Sequence, residues 1–248
     1  LIGIGLSREE ISACLEFNYK ILEYDEAFYR RVEKVIAPYR IKLAEVLRMK
    51  MKRRANFQFE GVFALFEVAN ALSVDKEKFK KSLFSNPNTL NSSSMTIYDF
   101  STNFKKLGFD EEQIKTIMET SVGVIVIDYE TLKRKKDILT EYYDEEEAIS
   151  MLVRFPGYFS MSCENIREKL DVGVYTNSLE FLFKNPKNLM QSAKLTLARF
   201  YSFCGDCSSR TLFLGEKEFI RHYNVTNAEV IAKYEREKKQ THQIFIKN

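Results

Sequence analysis

The residues with side chains fit for chemistry are few. Cys204-Gly-Asp-Cys207 is a CxxC pair, which offers two of the four thiolate or imidazole ligands that structural zinc requires. His222 and His242 are spaced too irregularly to complete a known zinc pattern, so reduced thiols stand beside zinc as the plainer reading. A redox role would need the pair to open a helix beside a strand, and no βαβ pattern surrounds it. Asp144-Glu-Glu-Glu147 resembles a metal-binding run, yet it reads better as the cap and first turn of a helix, where negative charge meets the positive end of the dipole. There is no HExxH, no GxSxG and no GxxxxGK[ST] phosphate loop, so a catalytic site, a metal and a cofactor are not expected.

What remains are cations. Arg30 and Arg31, then Lys133, Arg134 and Lys135, then Arg167 and Lys169, then Arg199, fall 11 to 13 residues after a recurring corner residue. A second run, Arg48, Lys50, Lys52, Arg53 and Arg54, adds density early in the chain. Cations repeated at one structural offset form a stripe along which a phosphate backbone can run, held without reading its bases. Against this, Lys and Arg are good helix formers and usually exposed. Glu26, Glu130 and Glu164 stand at helical distance from Arg30, Arg134 and Arg167 and could pair with them. Tyr129, Tyr158 and Phe159 could stack on bases, though aromatics at corners are more often core.

The elements that must position these cations are laid out in the stretch from Asp110 to Leu139. Asp110 can cap a helix with Gln113 as its reciprocal partner. Ile114, Ile117 and Met118 then share one face, the pattern loosens at Val122 and Gly123, and Asp128 can cap a second helix carrying Leu132, Ile138 and Leu139. Taking Val122 as the corner, equivalent positions are Tyr19, Met51, Pro87, Val122, Pro156 and Pro186, separated by 32, 36, 35, 34 and 30 residues on subtraction. Four residues before each corner a large apolar residue recurs: Leu15, Leu47, Leu83, Met118, Leu152 and Leu182. Six residues after, Asp25, Ser93, Asp128, Ser162 and Ser192 are good N-caps, with Phe57 the exception. Leu107-Gly108 reads as a helix end that needs the left-handed conformation, and Gly5 and Gly173 could serve similarly.

This pattern predicts an all-α solenoid of about six stacked repeats of 30 to 36 residues, curved into a superhelix, as one domain over 1–248. The repeats should occupy about 1–203. The register fails near Phe203, and 204–248 reads as a turn-rich connection to Gly215 and then capping helices at Glu216–Tyr223 and Asn227–Lys239. The chain of 248 residues carries 45% apolar residues and a net charge of only +3, so a nucleic-acid role must come from local clusters, not from the total. No apolar run is long enough to span a membrane, and a soluble protein, a monomer, is expected. The first residue is Leu, which reads as a fragment of a longer chain and leaves the compartment open.

Leu107-Gly-Phe-Asp-Glu-Glu-Gln-Ile114 with its corner and capped second helix, the corners Arg154-Phe-Pro-Gly-Tyr-Phe159 and Lys184-Asn-Pro-Lys-Asn-Leu189, and Glu216-Lys-Glu-Phe-Ile-Arg-His-Tyr223 resemble the mitochondrial transcription termination factor (mTERF) family. The resemblance implies repeats of two α-helices and a shorter third helix, with a basic groove for double-stranded DNA or structured RNA. It also implies a place in gene expression, mitochondrial in a eukaryotic member and cytoplasmic in a bacterial one. The near-balanced charge and three missing corner prolines depart from the pattern. The same surface would suit a protein scaffold that holds a partner helix or peptide.

Overall fold

The computed structural model describes residues 5–17, 23–52, 59–203 and 208–246, with the side chains of 14, 17, 50–52 and 239–246 left outside that description. Among the described residues there is no strand. Within those residues fifteen α-helices succeed one another: α1 (Arg8–Phe17), α2 (Glu26–Ile36), α3 (Leu43–Lys52), α4 (Glu60–Ala71), α5 (Lys76–Ser85), α6 (Ser94–Lys106), α7 (Glu111–Thr120), α8 (Tyr129–Thr140), α9 (Glu145–Arg154), α10 (Cys163–Tyr175), α11 (Leu179–Lys184), α12 (Ala193–Ser202), α13 (Ser209–Leu212), α14 (Glu216–Tyr223) and α15 (Asn227–Ile246). Their packing divides the chain into two compact units, Leu1–Lys133 and Arg134–Asn248.

The repeat is visible at its corners. Short 3-10 helices occupy Pro87–Asn91, Val122–Val126, Pro156–Ser160 and Pro186–Met190, so each starts on a corner residue read from the sequence. These are the shorter third helices. Proline suits the three that have it, because the first position of a helix has no backbone donor to lose. The corner position Tyr19 falls outside the described residues, and Met51 departs from the expected corner by lying within α3, one residue before its end at Lys52. The second-helix caps form as their residue types require: Asp25, Ser93, Asp128, Ser162 and Ser192 accept from the backbone N–H three residues on. Among the first helices, Asp110 and Asp144 form full capping boxes with Gln113 and Glu147, which fixes the acidic run Asp144–Glu147 as helix chemistry. Asp110 and Asp144 stand 12 residues before their corners, and the residues at that offset from Met51 and Pro186, Tyr39 and Val174, are not caps. Val174 lies inside α10, and α11 begins instead after Ser178, whose hydroxyl turns to Thr176 at 2.8 Å.

The core is the inward side of each repeat. Leu47, Leu83, Met118, Leu152 and Leu182 are buried before the corners, and Leu90, Ile125, Phe159 and Leu189 are buried three residues after them. In the first unit Tyr39, Phe66 and Phe79 form an aromatic cluster with centroids 4.9 to 5.6 Å apart. In the second, Ala198, Phe219 and Val230 join Phe203 and Tyr223 to close the end of the array. The capping helices at Glu216 and Asn227 are present, the latter running on to Ile246, and α13 adds a short turn before them.

Gly108 takes the left-handed conformation at φ +90°, as the helix end there requires, and Gly5 takes it at φ +85°. Gly173 departs from the helix-end role expected of it. It sits inside α10, and the left-handed residue that ends that helix is Asn177 at φ 51°. Ser178 N–H then reaches back to Gly173 O at 2.8 Å. Gly173 is small because a Cβ would stand 2.9 Å from Leu179 Cδ2 and 3.0 Å from Leu182 Cδ1. The position serves close approach of α10 and α11.

Candidate nucleic-acid interface

In the second unit the basic residues of the second helices separate into an inner and an outer set. Lys135 and Lys169 each stand 13 residues after a corner and are buried. Each Nζ donates to a backbone carbonyl at 2.5 Å, Lys135 to Phe159 and Lys169 to Leu189. Both acceptors lie three residues after the next corner, in its 3-10 helix. Helix ends leave carbonyls without backbone partners, and a lysine from the preceding repeat supplies the donor. Burial lowers the Lys169 pKa, with Glu168 opposing. Arg199 holds the same offset in the last repeat, after which there is no further corner. Fully buried, it donates to Leu212 O and Leu214 O at 2.8 Å each and to Asn227 Oδ1 at 2.7 Å, and lies 4.0 Å over the Phe219 ring. Burial brings its pKa down to about 10 against an opposing pull from Glu216.

The single stripe expected from the sequence is therefore corrected. Lys135, Lys169 and Arg199 point inward and tie each repeat to its C-terminal neighbour, so a phosphate on the surface does not meet them. Lys136 is also buried and donates to Glu145 Oε1 at 2.5 Å.

The outer set is Arg134, Arg167 and Lys194. Arg134 and Arg167 are exposed and line a cleft of about 380 Å³ between α8 and α10, together with Asp137, Ile138, Glu141, Cys163 and Glu164. Arg167 pairs with Glu141 at 2.6 Å, and Lys194 pairs with Glu235. Exposed pairs of this kind contribute only about 0–1 kcal/mol, so a phosphate can exchange for the carboxylate. Tyrosines accompany the cations. Tyr142 donates to Asp171 at 2.5 Å, Tyr175 and Tyr201 share a hydroxyl contact at 2.6 Å, and Tyr201 stacks on Tyr234 with centroids 5.4 Å apart. Lys194 was missed because its distance from the corner differs from that of Arg134 and Arg167. The signal that finds it is a cation with a tyrosine seven or eight residues later, as in Arg134/Tyr142, Arg167/Tyr175 and Lys194/Tyr201.

In the first unit, Arg30 pairs with Glu26 at 2.6 Å on open surface, Arg31 lies 5.4 Å from the Phe28 ring centroid, and Lys133 is exposed. Arg48 binds Glu10 at 2.7 Å and Gly5 O at 3.0 Å. Its guanidinium holds the Glu10 carboxyl down to about 2, so it serves as a link to the first helix. Of the remaining run, Lys50 and Lys52 have side chains outside the described residues, and Arg53 and Arg54 lie outside them entirely. The denser cluster is one the repeat offset did not select. Helix α5, KEKFKKSLFS, carries exposed Lys76, Lys78 and Lys81 and half-buried Lys80. Lys80 Nζ donates to Arg40 O at 2.5 Å, and Arg40 reaches Glu77 at 3.3 Å. The Asp75 pKa is lowered first by the Lys78 backbone N–H, and Lys78 and Lys81 add their charge. Four lysines within six residues were the available signal.

The CxxC pair at 204 and 207 lies outside the described residues, and His222 is exposed on α14. The aromatics suggested for stacking divide: Tyr158 and Phe159 are core, and Tyr129 is half-buried with Lys106 Nζ 5.8 Å from its ring centroid.

The family model for mTERF matches residues 1–203. The chain belongs to the mTERF family. Membership points to a nucleic-acid-binding helical-repeat protein in gene expression. No curated protein matches the chain. The mTERF match ends where the repeat register ends, so α13, α14 and α15 stand beyond it. These helices receive the last inward cation, Arg199, in place of another mTERF repeat. Among the described residues no helix is long and apolar enough to cross a membrane.

Proposed function

We propose that this protein is a non-enzymatic binder of double-stranded DNA or structured RNA, holding the phosphate backbone through its outward cations. Membership of the mTERF family across residues 1–203 carries the reading, because the net charge of +3 alone would not. Two exposed groups support it, each within its own unit: the α5 lysines with Arg40, and Arg134, Arg167 and Lys194. Both lie on helices, whose backbone fixes where each cation projects. Contacts of this type position a backbone and leave its sequence unread, so shape decides preference.

A labelled DNA duplex and a labelled RNA hairpin, titrated with the chain across a salt series, test the proposal. Affinity should fall steeply with salt, since each neutralised phosphate releases counterions. Reversing charge in R134E/R167E/K194E, and separately at the exposed lysines in K76E/K81E, should each weaken binding by ten-fold or more. If neither nucleic acid binds at low salt, the proposed function is wrong and the partner-helix reading takes its place. If binding persists unchanged in both variants, the surfaces are wrong.

A further inference from the structure

The phosphate contacts proposed above leave the exposed tyrosines of the second unit unused. Tyr175 is 56% exposed and Tyr201 44%, with Val174 beside them at 56%. Exposed apolar side chains that stand together on neighbouring helices mark contact surfaces, whereas scattered ones do not. They are also held in place. The hydroxyl contact of 2.6 Å joins Tyr175 to Tyr201, with centroids 6.1 Å apart, and Tyr234 backs Tyr201 from α15.

Each ring comes with a cation on its own helix. Arg167 precedes Tyr175 by eight residues and Lys194 precedes Tyr201 by seven, about two helical turns, which returns both side chains to one side at a separation of roughly 11–12 Å. Arg134 and Tyr142 repeat the spacing around α8, although Tyr142 is half-buried and turned to Asp171. The result is two rows across neighbouring helices, cations in the first half of each helix and tyrosines at or beside its end. Phosphates fit the first row and flat aromatic bases the second. In a duplex the base faces are covered by their neighbours, and only unpaired bases can lie against a protein ring.

We infer that this face of α8, α10 and α12 holds a single-stranded segment of nucleic acid, its phosphates along Arg134, Arg167 and Lys194 and its bases stacked on Tyr175 and Tyr201. The inference rests on the nucleic-acid-binding reading above and adds the strandedness of the ligand to this surface. Stacking on any base is sequence-tolerant, so recognition here is of an unpaired strand and not of a motif. Glu141 and Glu235, now paired with Arg167 and Lys194, are displaced when phosphate arrives.

The chain contains no Trp, so its intrinsic fluorescence comes from its thirteen tyrosines, and the part of any quenching that Y175F/Y201F removes reports on this surface. The full chain is titrated with oligo-dT, with an unstructured oligo-U and with a DNA duplex as reference. Both single strands should quench the tyrosine emission and bind with salt-dependent affinity. Y175A/Y201A should lose single-strand affinity by about five-fold or more per ring relative to its duplex affinity, whereas Y175F/Y201F should keep it, which shows that the ring, not the hydroxyl, is what binds. Duplex binding with no single-strand binding would overturn this inference and leave the broader function standing. Single-strand binding that survives Y175A/Y201A would overturn it too, and absence of binding to all three probes would remove both readings.

Discussion

Arg199 shows how a residue type can mislead when its partners are invisible. At the sequence level it is one more cation at a repeat offset. In the fold it is fully buried and satisfies three acceptors on three different stretches of the C-terminal cap. Removing it strands Leu214 O and Asn227 Oδ1, while Leu212 O keeps its bond from Gln191 Nε2 at 2.7 Å, which costs about 2–4 kcal/mol at the rate of a buried unsatisfied group. R199M should therefore lower the urea midpoint clearly. K169M, which frees one carbonyl, should cost about 1–2 kcal/mol. An R199M chain as stable as the parent would refute the inward latch. Sequence rules expect Lys and Arg at the surface. They fail at Lys135, Lys169 and Arg199 because the ends of neighbouring elements present carbonyls that only a long donor can reach. One residue along a helix turns a side chain by about 100°, so the offsets 11 to 13 could not all belong to one face.

At the scale of elements the sequence was far more readable. Caps and corners act over three or four residues, and the Ser and Asp caps, the proline-led 3-10 helices and the apolar positions beside them all stand where their chemistry put them. Close approach between helices was not readable, since it depends on residues far apart in the chain. Gly173 and Gly61 show two forms of it. A Cβ at Gly61 in α4 would come within 2.0 Å of Ser92 O, a backbone atom, whereas at Gly173 the obstacles are the ends of two leucine side chains. Both substitutions gain about 1 kcal/mol of helix propensity. G61A should still destabilise the protein by about 2 kcal/mol or more, because overpacking against backbone cannot relax, and G173A should stay within about 1 kcal/mol of the parent. Thermal unfolding of the two variants side by side checks the contrast, and equal stabilities would refute it.

For the molecule as a whole, tyrosine sets the alkaline limit. Tyr39 is pushed up to about 12 by burial, Tyr142 to about 12 by burial and then by its bond to Asp171, and Tyr201 to about 12 mainly by its bond with Tyr175. Burial also raises Tyr143 and Tyr158. In the unfolded chain tyrosine titrates near 10, so the folded state holds more protons above that pH. The stabilising contribution of these groups is complete below pH 10 and is lost as pH rises from about 10 to 12. Lys169 and Arg199, whose pKa values are lowered, act in the opposite sense, but the five tyrosines outnumber them. Urea midpoints should fall over this window together with the appearance of phenolate absorbance. A midpoint that holds or rises through pH 12 would contradict the burial and hydrogen bonding of these hydroxyls.

The central claim is that the second unit uses one set of cations outward for phosphate and another inward for its own carbonyls. Its most direct test is the slope of log affinity against log salt for the parent, R134Q/R167Q/K194Q and K135M/K169M. With each phosphate contact contributing about 0.9 to the slope on a duplex and about 0.7 on a single strand, the outward variant should lose about two to three units of slope. The inward variant should keep its slope while losing stability. An unchanged slope in R134Q/R167Q/K194Q, or an equal loss in K135M/K169M, would contradict the account.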